Sequence, residues 1–220
     1  MAMTMKESFH VPVVTTITDT PGSAFPTKTL IFGSLKNLVK KSKGSAVIFS
    51  MSSHGFNIPD VAAGDETDRN DEAVLCADTQ SITDDEIYRC ITYQGSTSCI
   101  VIVIDACHSG TIVDLPYSFD GSSWKLNTRR STRPRAFVVG VSGARDTETA
   151  SDGSGSNGAF TEAFLEIISQ LKGTVSYDML YNILSEKLIP QGQRPVITCS
   201  RSLPSGAMFV TGGKLVVYEN

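Results

Sequence analysis

Histidine is scarce in this chain, with three residues (His10, His54 and His108) in 220, and the five cysteines include no C-x-x-C pair. The first scarcity narrows any imidazole chemistry to few candidates. The odd cysteine count (Cys76, Cys90, Cys99, Cys107 and Cys199) points to neither a disulfide framework nor a zinc ribbon. An excess of basic charge is also lacking: 19 Lys and Arg stand against 23 Asp and Glu, for a formal charge of -4. Phosphate backbones and anionic lipid are therefore poor partners, and no nucleic-acid partner is expected. Long apolar runs are absent too. The longest, Cys99 to Ile104, is far below the roughly 20 residues that span a bilayer, and the N-terminus carries no apolar signal core. A cytoplasmic or nuclear location is expected, neither secreted nor in the membrane. What is present, 40% hydrophobic and 19% charged residues over 220 positions, matches a globular chain long enough to bury a core without metals or disulfides.

The periodicities alternate between strand and helix. Val11 to Ile17 alternates apolar and β-branched residues and then meets Asp19, Pro21 and Gly22, the pattern of a strand followed by a loop. Thr27 to Lys41 places Leu30, Ile31, Leu35, Leu38 and Val39 near helical spacing. Ala46 to Phe49 reads as a short buried strand with His54 at its exit. Thr83-Asp84-Asp85-Glu86 has the form of a capping box and predicts a helix start. Cys99 to Ile104 is continuously apolar and mostly β-branched, as in a parallel strand covered on both faces, and Cys107 follows it. Residues 118–135 are polar, basic and without periodicity, the pattern of an exposed linker. Beyond it, a strand at 136–141, helices at about 158–171 and 176–188, a strand at 195–199 and a hairpin around Gly212-Gly213 complete the pattern. Strands alternating with helices predict an α/β fold with a mostly parallel central sheet flanked by helices on both faces.

In such sheets the reactive groups gather beyond the carboxyl ends of the strands. Ser52-Ser53-His54-Gly55 ends one predicted strand and Asp105-Ala106-Cys107-His108-Ser109-Gly110 ends another. Adjacent parallel strands would deliver an imidazole and a thiol to one rim. That pair suffices for nucleophilic catalysis: the imidazole promotes the thiolate and later protonates a leaving amine, while small residues such as Gly55 let backbone N–H groups reach an oxyanion. Taken singly, a cysteine is more often a small core residue, and Cys76, Cys90, Cys99 and Cys199 are assigned to the core. His108 follows Cys107 directly and is read as structural.

These motifs resemble the metacaspases, cysteine peptidases of the caspase-like clan. The 53 residues from His54 to Cys107 match the roughly 50 that separate the pair in caspases. His54-Gly55, Gly64 to Glu72, Ile82 to Glu86, Asp105 to Thr111 and Asp114-Leu115-Pro116-Tyr117 follow in the family's order, so the resemblance runs from about residue 11 to the end. It implies a large catalytic part at 1–117, shortened at its start relative to the family, the linker at 118–135 and a small part at 136–220, forming one domain.

The resemblance implies Cys107 as nucleophile and His54 as general acid and base. It places Asp105 and Ser52 in a pocket for a substrate Arg or Lys before the scissile bond, where a carboxylate meets the cation. It also implies calcium held by Asp71, Asp84, Asp85 and Asp114, hard oxygen ligands of the kind this ion takes. The partners implied are protein or peptide substrates, and the state a monomer. On composition alone Asp84 and Asp85 are helix N-terminal acids, and the stretch Asp65 to Glu72 is a solvated loop. The basic linker is a candidate self-cleavage site. Two alternatives carry different expectations: a catalytically silent caspase-like interaction module, or a peptidase of the same clan with other specificity, such as the legumains.

Overall fold

The computed structural model describes residues 7, 14–41, 46–59, 70–93, 99–107, 112–126, 133–143, 158–171, 175–211 and 214–215. The centre of the molecule is a six-stranded sheet. Its first three strands in order, β1 (Ala46–Ser52), β5 (Cys99–Asp105) and β8 (Phe137–Ser142), run parallel and in register, Ala46 opposite Cys99 and Cys99 opposite Phe137. Then β10 (Val196–Cys199) turns antiparallel against β8, and the hairpin of β6 (Tyr117–Phe119) and β7 (Trp124–Leu126) closes the order β1-β5-β8-β10-β6-β7. The expected α/β architecture is present. The sheet itself is mixed, parallel on the side that carries the candidate site and antiparallel on the other.

The apolar run of β5 explains why the sheet is sandwiched. Every residue from Cys99 to Asp105 is buried, and alternate side chains enter different cores. Ile100, Ile102 and Ile104 pack with Leu35 and Val39 of α1 (Lys28–Lys41) and with Ile87 and Ile91 of α2 (Asp84–Tyr93). Cys99, Val101 and Val103 pack on the opposite face with Phe160, Phe164 and Ile168 of α3 (Ala159–Gln170) and with Leu180, Leu184 and Leu188 of α4 (Tyr177–Leu188). The capping box is realised reciprocally: the Glu86 amide donates to Thr83 Oγ1 at 3.2 Å and the Thr83 amide to Glu86 Oε2 at 3.1 Å.

Three findings depart from the sequence expectations. First, residues 14–18 form no strand, and 11–13 lie outside the described residues. Second, the first half of the expected linker is the β6–β7 hairpin, with Phe119 buried and Asp120 turning the chain by accepting from the Ser122 and Ser123 amides, both at 2.9 Å. Residues 127–132 lie outside the described residues. Third, an unexpected antiparallel sheet of β2 (Gly55–Pro59), β3 (Asn70–Leu75) and β4 (Ser81–Thr83) springs directly from the exit of β1. The carboxy-terminal hairpin is present as β11 (Met208–Thr211) and β12 (Lys214–Leu215), which join β9 (Val175–Ser176), while its Gly212-Gly213 turn lies outside the described residues. No helix among the described residues is long and apolar enough to cross a membrane.

Candidate active site

Parallel register brings the two candidate segments together. Ser52 pairs with Asp105 at the last rung of β1 and β5, and the Ser53 amide donates to the Asp105 carbonyl at 3.1 Å. The next residues, His54 and Gly55 on one strand exit and Ala106 and Cys107 on the other, therefore leave the sheet side by side. The second sheet fixes the histidine turn from its other side: the Leu75 amide donates to the His54 carbonyl at 2.8 Å, and the Ser53 hydroxyl bonds the Leu75 carbonyl. Gly55 lies so close to the Cys107 turn that a Cβ there would sit 1.8 Å from the Cys107 carbonyl oxygen. Only glycine permits that approach. The His54 side chain is exposed and Cys107 half-buried.

The other four cysteines differ in kind. Cys76, Cys90, Cys99 and Cys199 are all buried, as expected. Burial pushes the Cys90 thiol up to about 11 and those of Cys99 and Cys199 to about 12, and raises Cys76, where Asp78 adds to the effect. Such thiols do not ionise near neutrality and are inert as nucleophiles. His108, Ser109, Gly110 and Thr111, the acidic stretch 64–69 and the polar run 144–152 lie outside the described residues.

Asp105 is buried, with 5% of its surface exposed, and points to the α3 side of the sheet, as Val101 and Val103 do. Its Oδ2 accepts the Thr161 hydroxyl at 2.5 Å and the Thr161 amide at 3.1 Å. Ser52, its register partner, is exposed at the strand end. Thr161 carries no local sequence signal of this contact, because its link to Asp105 spans 56 residues.

The four expected calcium ligands are all buried. Antiparallel pairing of β3 with β4 sets Asp71 near the start of α2, where Asp84 and Asp85 stand. Asp84 accepts the Asp85 amide at Oδ1 (2.6 Å) and the Glu72 amide at Oδ2 (3.2 Å), and its carboxyl also bonds that of Glu72. Burial drives its pKa up to about 7 against those bonds, and the Asp71 charge raises it further. Asp71 and Asp85 line a cleft of about 460 Å³ that also holds Lys28, Glu86 and Arg89. Arg89 pairs with Asp85, and Lys28 with Glu86 at 2.7 Å. Asp114 adopts a left-handed backbone (φ 50°) in the turn that precedes β6. Crowded oxygen donors suit a hard divalent cation, although among the described residues no three acidic, histidine or cysteine side chains are already arranged as a metal-holding group.

Comparison with known proteins gives a consistent picture. The family model of the caspase domain, peptidase C14, matches residues 1–204. Metacaspase-1B of Neurospora crassa is 25% identical over 239 residues, an alignment that takes in 84% of this chain and 56% of that protein. Metacaspase-2 of Arabidopsis thaliana is 33% identical over 182 residues, covering 73% of this chain and 42% of its own length. The chain thus spans about half the length of these curated relatives. Among solved structures, protein GSU0716 from Geobacter sulfurreducens superposes with a TM-score of 0.63 at 21% identity, over 87% of this chain and 80% of that one. That likeness is one of fold.

Proposed function

This chain belongs to the caspase domain family and is metacaspase-like, and on that premise we propose that it is a cysteine endopeptidase that cleaves after Arg or Lys. The observation that carries the reading is the approach of the His54–Gly55 turn to the Cys107 peptide, which a Cβ at Gly55 would abolish. In the proposed reaction His54 takes the Sγ proton of Cys107, and the thiolate attacks the scissile carbonyl. Backbone N–H groups around the tight turn would stabilise the oxyanion. Collapse of the tetrahedral intermediate expels the amine, which receives the proton from His54 and leaves a thioester. Water, deprotonated by His54, then hydrolyses the thioester and regenerates the thiol.

Asp105 supplies the charge that selects a basic side chain before the cut, with Ser52 at the same strand end. The acidic cleft supports stimulation by calcium, held by Asp71 and Asp85 with Asp84 and Asp114. When bound, the ion would offset the burial, and the Asp71 repulsion, that now disfavour the charge of Asp84. Substrates are proteins or peptides, and the acting unit is a monomer in the cytoplasm.

The test is covalent. A chloromethyl ketone peptide ending in arginine should label Cys107 and no other cysteine, as peptide mapping by mass spectrometry would read. A chain that is folded by circular dichroism but unlabelled would instead be a silent interaction module.

A further inference from the structure

Helix α3 begins on Gly158, which has no side chain to cap it. The acceptor that a Ser or Asp would ordinarily provide for the amide three residues on comes from another element: Asp105 Oδ2, at the end of β5, takes the Thr161 amide. The Thr161 hydroxyl converges on the same oxygen at 2.5 Å. Two donors fill both lone pairs of Oδ2. The carboxylate is thereby locked about its Cα–Cβ–Cγ bonds, and Oδ1, which accepts from no donor among the described residues, is the oxygen available to a substrate cation. Gly158 enforces the same arrangement by absence, because a Cβ there would stand 2.4 Å from Oδ2. Thr161 is itself buried, and its hydroxyl is engaged by Asp105.

We infer that Thr161 is a positioning residue for substrate specificity: through its hydroxyl it orients the Asp105 carboxylate so that one oxygen faces the basic side chain before the scissile bond. The inference rests on the reading of Asp105 as the specificity carboxylate. A cation held by a fixed oxygen gains the full charge-assisted hydrogen bond, whereas a carboxylate free to rotate must be ordered during binding.

The experiment compares inhibition constants of two peptide aldehydes identical but for arginine or citrulline at the last position, since citrulline keeps the shape and removes the charge. The full chain is expected to bind the arginine aldehyde more tightly. In Thr161→Val that preference should fall roughly tenfold, the scale of one hydrogen bond to a charged group. Thr161→Ser, which restores the hydroxyl, should regain it. The citrulline constant and the rate of Cys107 alkylation by iodoacetamide should stay unchanged in both variants, which a merely structural loss would not allow. A preference that persists in Thr161→Val, or citrulline binding and alkylation that fall in step with it, overturns the role of Thr161 alone. A parent chain that binds both aldehydes equally overturns the Asp105 reading and this inference with it.

Discussion

Asp105 and Asp84 are both buried carboxylates at the first turn of a helix, α3 and α2 respectively, yet they keep different company. Asp105 is held through one oxygen by the amide and hydroxyl of a single residue, Thr161. Asp84 also accepts two amides and bonds the Glu72 carboxyl, yet burial, with repulsion from Asp71 adding to it, outweighs those bonds and lifts its pKa to about 7. The two carboxylates thus differ in their neighbours: Asp84 stands beside other acids, whereas Asp105 is held by an amide and a hydroxyl. A lone, oriented carboxylate is suited to an organic cation that arrives and leaves with substrate. A crowded set is suited to an ion whose charge relieves all of its members at once.

Substitutions can break this contrast, beginning at the junction of the Gly55 and Cys107 turns. Gly55→Ala places a methyl 1.8 Å from the Cys107 carbonyl oxygen, so the two turns must separate. A stability loss of about 1–3 kcal/mol, read by urea denaturation, should accompany near-complete loss of turnover. Next in size, Asp105→Asn retains an acceptor for Thr161 but removes the charge. It should lower kcat/KM for arginine peptides by about a hundredfold, with little change in melting midpoint.

Asp84→Asn should behave in the opposite way with respect to stability. Because the folded pKa of Asp84 lies above its ordinary 3.8, the folded chain binds the proton more tightly. The stabilisation from this proton is complete below about pH 4 and is lost as pH rises to about 7. In chelator, the parent's melting midpoint should therefore fall by several degrees across that window, on the order expected from a few kcal/mol. The Asn variant should show a flatter profile, and a slope equal to the parent's would remove Asp84 as its source. The smallest effect is expected at Thr83→Ala, which deletes one half of the capping box that starts α2. About 1 kcal/mol of stability should be lost, with arginine preference intact and calcium response weakened.

The parts of this molecule that were legible in its sequence are those whose cause is local. Six consecutive apolar residues in β5 announce a strand covered on both faces, and Thr83 with Glu86 announces a helix start. Cys107 and His54 stand out because each follows a strand and their spacing fits a known pair. The β2–β4 sheet leaves little trace in the sequence, because Gly55–Pro59 ends in proline and Asn70–Leu75 opens with three polar residues, Asn70, Asp71 and Glu72. The β6–β7 hairpin is built from strands of three residues around a polar turn, too short for a periodicity to show. The antiparallel direction of β10 and the Thr161 contact to Asp105 are set by tertiary packing between segments far apart in the chain, which no window of sequence encodes.

The most direct measurement of the central claim is hydrolysis of matched fluorogenic peptides ending in arginine, aspartate or asparagine, with millimolar calcium or chelator, beside Cys107→Ala. The expected result is cleavage of the arginine peptide, stronger with calcium and absent in the variant. Cleavage after aspartate or asparagine instead, or arginine cleavage that survives in Cys107→Ala, would contradict the assigned specificity or the assigned nucleophile.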